Sequence, residues 1–110
     1  MNITTREEGG FAILELEGEV DLSCSPEARK HILGNLEKGR DLLVDLSGVT
    51  YIDSSGVASL VEGYQNAKKQ KLKFALVGVS ESAMNVLELA RLDKVFPIYT
   101  SLEERLREDS

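Results

Sequence analysis

Short runs of apolar residues, separated by turn residues and by segments with helical spacing, recur along the whole chain. The runs that predict strands cover residues 3–6, 11–17, 42–46, 73–77 and 96–99. The Gly9-Gly10 pair predicts an antiparallel hairpin of the first two strands, and Gly18 closes the second. Pro97 lies inside the last run, and because proline cannot donate to a neighbouring strand, we expect that strand at a sheet edge.

Apolar residues three and four positions apart predict three helices between these strands, and a capping box predicts a fourth helix after them. Ser25 is expected to cap the first helix, with Pro26 in its first turn. The second helix covers residues 57–69, and Ser80 is expected to cap the third. A capping box at residues 101–104 opens the fourth helix, which fades into a charged tail.

The order of these elements predicts the fold class. After the hairpin, helices and strands alternate, which favours parallel pairing and right-handed crossovers. The run at 73–77 is continuously apolar, as in a strand buried on both faces. We therefore expect one α/β domain over residues 1–110, with a core of about 2–107. It should hold a mixed β-sheet of four to five strands with packed helices.

The segment Asp53-Ser54-Ser55-Gly56 lies between the predicted strand at 42–46 and the second helix, and it forms a polar corner where that helix begins. Serine and aspartate are favoured where a helix begins, because their oxygens accept hydrogen bonds from its first free N–H groups. The same N–H groups and the positive end of the helix dipole favour an anion such as phosphate. Either serine therefore fits two roles, a helix cap or the carrier of a phosphate. Gly56 permits close approach where a side chain would crowd the corner.

Composition and charge limit the kinds of partner and the cellular compartment that we expect for this protein. The 110 residues are 42% apolar and carry a formal net charge of −6, which argues against binding a nucleic-acid backbone. Lys68-Lys69-Gln70-Lys71 is a basic run where a helix should end, and cations suit the negative end of its dipole. No apolar run is long enough for direct membrane insertion, and the first residues lack a secretion signal. One cysteine excludes an internal disulfide, so we expect a cytoplasmic protein.

Side chains that carry catalytic chemistry are sparse. The sequence contains no phosphate-binding loop and no dinucleotide-binding turn. His31, the single histidine, lies in the first predicted helix without a recognisable partner, and Cys24 lies in a polar loop. No spacing pairs two carboxylates for acid–base work or assembles a metal site. We expect no enzyme, no catalytic residue, no metal and no cofactor.

Three segments together resemble STAS domains, the family that includes bacterial anti-sigma factor antagonists. Residues 46–60, Leu-Ser-Gly-Val-Thr-Tyr-Ile-Asp-Ser-Ser-Gly-Val-Ala-Ser-Leu, look like the family signature. Gly18-Glu-Val-Asp21 resembles the Gly-x-(Ile/Val/Leu)-Asp that follows the family's second strand. Residues 89–98, Leu-Ala-Arg-Leu-Asp-Lys-Val-Phe-Pro-Ile, resemble its C-terminal helix and final strand. The resemblance spans nearly the whole chain.

The resemblance implies a function switched by phosphorylation. In antagonists of this family the second serine of Asp-Ser-Ser-Gly, here Ser55, is the phosphoacceptor. The unphosphorylated protein binds an anti-sigma factor that is also a serine kinase, and this binding releases the sigma factor. The kinase phosphorylates the serine with ATP and thereby ends its own inhibition, and a serine phosphatase restores the active form. Phosphate adds roughly −1.5 to −2 charges, which would act on the partner as repulsion and bulk.

The resemblance also implies a contact surface around this corner. Asp21 and Asp53 would add negative charge near Ser55 and help to position the serine or contact the partner. The exposed side of the following helix would continue the surface. The expected partner-binding residues are Asp21, Asp53, Ser54, Ser55, Gly56, Ser59, Glu62 and Gly63.

Other members of the family leave alternatives open. STAS domains also serve as cytosolic subunits of Mla-type lipid-transport ABC systems, as tails of anion transporters and as parts of stressosomes. If the protein were an Mla-type subunit, it would dock on an ABC permease through the Ser55 corner and the following helix, and phosphorylation would not be needed. The lack of a membrane span disfavours the transporter tail. A small hydrolase that uses Ser55 would need a base, which the sequence does not show.

Overall fold

The computed structural model describes residues 1–108, within which a five-stranded sheet is combined with four helices. Residues 109 and 110, the end of the expected single domain, lie outside the described residues. The elements are β1 (Asn2–Glu8), β2 (Phe11–Val20), α1 (Ser25–Glu37), β3 (Asp41–Ile52), α2 (Ser54–Lys69), β4 (Phe74–Val77), α3 (Glu81–Leu89), β5 (Ile98–Tyr99) and α4 (Leu102–Glu108). Within residues 1–108, no helix has the length and apolarity needed to cross a bilayer.

The sheet has the strand order β1-β2-β3-β4-β5 and is mixed, as expected. β1 and β2 form an antiparallel hairpin across Gly9 and Gly10, whose φ angles of 61° and 85° suit glycine. The other neighbouring strands pair in parallel. β5 lies at the edge, as predicted, although Pro97 precedes the strand instead of lying within it.

The two faces of the sheet are covered unequally. One face packs against α1, α2 and α3, which contribute buried residues such as Ile32, Leu60 and Leu87 to the main core. The other face carries a smaller cluster around Phe11 and Leu43, covered by α4. All four residues of β4 are buried, which confirms the strand predicted to be covered on both faces.

Two strands extend beyond their predicted ends. β2 continues through Gly18, which has a φ of 89°, to Val20, so the predicted closure at Gly18 is wrong. β3 continues past Leu46 to Ile52 because it stays paired with β2 through two register shifts. The strand at 42–46 was predicted from a continuous apolar run, which ends at Leu46, whereas the pairing with β2 continues until Val20 pairs with Ile52.

The predicted helix starts are confirmed in part. The Ser80 hydroxyl accepts a hydrogen bond from the Ala83 N–H, and the Ser101 hydroxyl accepts one from the Glu104 N–H. Ser25 does not cap α1, because it is the first helical residue and is buried. Cys24 takes the cap position without a capping hydrogen bond from its side chain.

Candidate functional site

The parallel pairing of β2 with β3 brings Asp21 and Asp53, the two aspartates of the predicted contact surface, to the same end of the sheet. Val20 pairs with Ile52 as the last residue of each strand, and Asp21 and Asp53 follow directly. The Asp53 N–H donates to the Val20 carbonyl oxygen at 3.2 Å. This end of the sheet consists of the carboxyl ends of parallel strands, where ligand-binding residues of α/β proteins commonly lie. We call Asp21 together with residues 53–56 the serine corner.

Asp53 is the cap of α2. Its Oδ1 atom accepts hydrogen bonds from the N–H groups of Ser55 and Gly56 at 3.0 and 3.1 Å. The same oxygen accepts the Ser55 hydroxyl at 2.6 Å. Ser54 and Ser55 are the first two helical residues, so the interpretation of either serine as the cap is wrong. Ser54 is exposed, whereas Ser55 is half-buried and oriented by the carboxylate.

Asp21 repeats this local arrangement in the loop after β2. Its Oδ1 atom accepts the N–H of Ser23 at 3.0 Å and the Ser23 hydroxyl at 2.5 Å. The Cys24 thiol lies 3.6 Å from the same oxygen and donates to the Glu19 carbonyl oxygen at 3.2 Å. The corner therefore presents two carboxylates, each held by a serine two residues further along the chain.

The hydrogen bonds keep both carboxylates ionised. The Ser55 hydroxyl, followed by the Gly56 N–H, holds the pKa of Asp53 below its ordinary value of 3.8. The Ser23 hydroxyl, followed by the Ser23 N–H, likewise lowers the pKa of Asp21, and the charge of Asp53 acts weakly in the opposite direction. Because the two charges interact, a further negative group at this corner would meet repulsion.

Gly56 allows α2 to begin close to the sheet. A Cβ atom at this position would lie 2.7 Å from Ile52 Cγ1, 2.9 Å from Val20 Cγ1 and 3.0 Å from the Val20 carbonyl oxygen. This crowding confirms the expectation that a side chain would not fit. Gly56 is buried, so it shapes the corner and exposes little surface of its own.

Two residues expected on the exposed side of α2 are buried instead. Ser59 is 7% exposed, and its hydroxyl donates to the carbonyl oxygens of Ser55 at 3.1 Å and Ser25 at 3.4 Å. A Cβ on Gly63 would lie 2.5 Å from Ile32 Cγ2, so α1 packs directly against this glycine. Their predicted position on the exposed side is therefore wrong, because both residues lie where α1 packs on α2.

Glu62 is the member of the predicted helix surface that reaches solvent. Its carboxylate forms a salt bridge with Arg29 of α1, with Nη2 and Oε2 2.6 Å apart and both side chains about half exposed. The Arg29 hydrogen bond lowers the pKa of Glu62. The pair joins α1 to α2 on the outer side of the interface that Ser59 and Gly63 fill.

Two exposed apolar side chains beside the corner were missed in the sequence. Leu22 is 73% exposed directly after Asp21. Tyr51 is 51% exposed two residues before Asp53. Single exposed apolar residues are common on protein surfaces, so these two side chains alone do not define a contact surface. For Leu22 the sequence offers one signal, an apolar residue in an otherwise polar loop, whereas Tyr51 lies within β3 and has no such signal.

The described part of the chain holds no group of three or more His, Cys, Asp or Glu side chains arranged to bind a metal ion. The serine corner offers two carboxylates, two hydroxyls and the N-terminus of α2. The free N–H groups and the dipole at the N-terminus of α2 favour a negative group there.

A family model described as the STAS domain matches residues 2–105. The chain belongs to the STAS domain family. This membership confirms the resemblance that the three sequence segments indicated, and the serine corner lies within the matched range.

Three bacterial proteins are similar to this chain over nearly its full length. The anti-sigma-B factor antagonist of Bacillus subtilis (strain 168) is 25% identical over 103 residues, 94% of each chain. The anti-sigma-F factor antagonist RsfB of Mycobacterium tuberculosis is 27% identical over 108 residues, 96% of this chain and 87% of the relative. The crystal structure of tm1081 from Thermotoga maritima, a candidate anti-sigma factor antagonist, has a TM-score of 0.89 at 26% identity and covers 96% of this chain and 92% of that protein.

Proposed function

We propose that this STAS domain is an anti-sigma factor antagonist whose binding to an anti-sigma factor is switched off by phosphorylation of Ser55. The names of the two bacterial relatives support the antagonist role. The observation that carries the switch is the Ser55 hydroxyl, which lies in the first turn of α2 and is oriented by Asp53 at 2.6 Å. This role places the protein in the cytoplasm with the transcription machinery.

Phosphorylation would change the charge and the hydrogen bonds of the corner. The kinase would transfer the γ-phosphoryl group of ATP to Ser55 Oγ, ADP would leave, and the hydroxyl proton would pass to solvent. The hydrogen bond that the Ser55 hydroxyl donates to Asp53 would then be lost. The phosphate would add roughly −1.5 to −2 charges beside two carboxylates. The N-terminus of α2 tolerates an anion, so the fold should persist while the surface presented to a partner changes.

The proposed contact surface combines exposed and supporting residues. Asp21, Asp53, Ser54 and Ser55 would face the anti-sigma factor, with Glu62 at the border of the surface. Three buried residues would support this surface without contacting the partner, because they set how closely α2 approaches β3 and α1. They are Gly56, Ser59 and Gly63. The partner would be a serine kinase as well as an anti-sigma factor, and a serine phosphatase would restore the unphosphorylated state.

The test uses three tagged baits in the native cell, with captured proteins identified by mass spectrometry. The baits are the wild type, Ser55→Asp and the matched control Ser82→Asp. Ser82 is an exposed serine in the first turn of α3, so its replacement adds the same charge at another helix N-terminus. We expect wild type and Ser82→Asp to retain an anti-sigma factor kinase and Ser55→Asp to lose it. Circular dichroism should show all three variants folded.

Two results would overturn the proposal. The first is equal affinity of the purified kinase for wild type and Ser55→Asp. The second is retention of an ABC permease and its ATPase by all three baits, which is the outcome expected for an Mla-type transport subunit. Incubation of the wild type with the captured kinase and ATP should also yield a phosphate that peptide mapping places on Ser55, and Ser55→Ala should remain unmodified.

A further inference from the structure

A concave groove lies between α1 and the edge strand β1. Its volume is about 420 Å³, within the range of small-molecule sites, about 300–1,000 Å³. Thr5 of β1 lines one side of the groove. Thr5 pairs with Leu14, which belongs to the core beneath α1, so both side chains lie on the face of the sheet that α1 covers. The serine corner contributes none of the lining residues.

α1 supplies the opposite side of the groove through one stripe of its surface. The residues of this stripe follow one another at intervals that place them on the same side of a helix, and they are Glu27, Lys30, His31, Gly34, Asn35 and Lys38. Over the eight positions from Lys30 to Lys38 the helix rises about 12 Å. The stripe is therefore long enough to contact both ends of an elongated small molecule.

Gly34 leaves the middle of the groove open. It lies inside α1, where glycine is less favourable than alanine, so the helix itself does not call for glycine here. A Cβ atom added at this position would meet no neighbouring atom within 4 Å. A longer side chain would have room to form, and it would occupy the groove.

Cations outnumber carboxylates along the groove. Lys30 and Lys38 are exposed, and within residues 1–108 neither of them forms an ion pair. His31 is half-buried, and its ring can donate a hydrogen bond in either protonation state. Arg40 already has a counter-charge, because its Nη1 atom lies 2.8 Å from Glu7 Oε1. We therefore assign no ligand group to Arg40.

Among the described residues that line the groove, Glu27 is the only carboxylate. It lies three positions before Lys30 and eleven before Lys38, so it offsets part of the charge at the Lys30 end and little at the Lys38 end. Two lysines about 12 Å apart along a helix suit two anionic groups better than one. Convergence of both lysines on a single group would order two flexible side chains at a cost in entropy.

We propose that this groove binds a small elongated molecule with an anionic group, either phosphate or carboxylate, at each end. One group would face Lys30 and the His31 ring, the other would face Lys38, and the uncharged middle would cross Gly34. Binding is measured on the isolated protein, so a negative result would leave the proposed antagonist function intact, and failure of that function would leave this proposal intact.

The experiment is a titration of the ¹⁵N-labelled protein followed by NMR, at about 0.01 M ionic strength, where screening is weak. The two-ended probes are fructose 1,6-bisphosphate and the dicarboxylate suberate, which together distinguish phosphate from carboxylate. Fructose 6-phosphate has one anionic end, and fructose has none. We expect saturable shifts of the amides of residues 27–38 with a two-ended probe, at a dissociation constant of about 1 mM or tighter. The one-ended probe should bind about tenfold more weakly, and fructose should not bind.

Gly34→Gln is the decisive variant. Its Cβ has open space and glutamine favours a helix, so the midpoint of urea unfolding should not fall. The added side chain would lie in the groove, and we expect binding of the two-ended probe to weaken at least about tenfold. Gly34→Ala is the comparison, because it improves the helix in the same way but adds only a methyl group. It should bind within about threefold of the wild type.

Replacement of either lysine tests the two charged ends separately. We expect Lys30→Gln and Lys38→Gln each to weaken binding of the two-ended probe about three- to tenfold. The matched control is Lys69→Gln, which removes an exposed lysine at the end of α2, outside the groove, and should bind like the wild type. An increase to about 0.15 M ionic strength should weaken binding in the wild type, because salt screens exposed charges.

Four results would contradict the proposal. The first is the absence of saturation with both two-ended probes at about 10 mM. The second is equal affinity for the two-ended and the one-ended phosphate, and the third is wild-type affinity in Gly34→Gln or in both lysine variants. The fourth is a set of shifted amides confined to residues outside 27–38. Tighter binding of a hexaglutamate peptide than of either small probe would assign the groove to an acidic protein segment instead.

Discussion

The Ser55 hydroxyl donates to Oδ1 of Asp53 across 2.6 Å, and the same carboxylate oxygen caps the helix to which Ser55 belongs. The orientation of the serine and the start of α2 therefore depend on one atom. A change at either residue should be detectable at the other, and this coupling can be measured without knowledge of the partner.

Replacement of Ser55 by alanine should raise the pKa of Asp53 towards its ordinary value of 3.8. The Ser55 hydroxyl is the largest cause of the depressed pKa, while the N–H groups that also bond to the carboxylate remain. A carboxyl NMR titration of wild type and Ser55→Ala measures the shift, and Ser82→Ala should leave the titration unchanged. An identical Asp53 midpoint in wild type and Ser55→Ala would contradict this coupling.

The same carboxylates should make the protein sensitive to acid. Because the folded pKa values of Asp21 and Asp53 lie below 3.8, their contribution to stability is present above the unfolded value and is lost as the pH falls through the folded values. Urea unfolding should thus show stability falling below about pH 4. The fall should be shallower in Asp53→Asn, in which this carboxylate is absent. If the stability of Asp53→Asn fell with pH as steeply as that of the wild type, the Asp53 carboxylate would not be a cause of the acid sensitivity.

The serine corner was predictable in its location but not in its internal roles. Asp, Ser and Asn have similar preferences for the cap position, so the sequence could not decide between Asp53 and the two serines. The position of Ser59 and Gly63 depends on how α1 packs on α2. That packing joins Ser59 to Ser25, 34 positions away, and the small side chains at the contact are not distinguished by the apolar stripe that marks the rest of the buried face. Leu22 and Tyr51 were missed because exposure of single apolar residues has no pattern.

The fold was more predictable, because its main signals are local. Gly9-Gly10 and the Ser80 cap depend on a few neighbouring residues, and both predictions are confirmed. The extension of β3 to Ile52 was missed because it depends on pairing with β2 across two register shifts. Residues 47–52 neither continue the apolar run nor alternate, because the register shifts change which residues face the core, so the sequence gives no signal for this part of the strand.

Phe96 should be among the costliest side chains to truncate. It is 4% exposed, and its ring centroid lies 5.5 Å from that of Tyr64 and 6.3 Å from that of Phe74. Phe96→Ala should lower the free energy of unfolding by about 3–5 kcal/mol. Leu89→Ala is the control, because Leu89 is 87% exposed and its truncation should change stability by less than about 0.5 kcal/mol. Urea unfolding of both variants measures the difference, and similar losses would contradict this packing.

Glycine-to-alanine replacement should have opposite effects at two helical positions. Gly56→Ala places a Cβ 2.7 Å from Ile52 Cγ1 and 3.0 Å from the Val20 carbonyl oxygen, and the backbone oxygen cannot move without disturbing β2. We expect a loss of about 1–3 kcal/mol in the free energy of unfolding. Gly34 lies within α1, and a Cβ added there would meet no neighbouring atom within 4 Å, so Gly34→Ala should gain about 0.5–1 kcal/mol.

The Gly56 and Gly34 variants also separate the shape of the serine corner from general helix stability. If Gly56→Ala only weakened α2, the fully folded variant would bind the proposed anti-sigma factor partner as tightly as the wild type does. We expect weaker binding instead, because the added methyl group pushes the first turn of α2, with Ser55, away from Val20 and Asp21. Gly34→Ala should bind like the wild type. Wild-type affinity in folded Gly56→Ala would mean that close approach of α2 to β2 is not required for recognition.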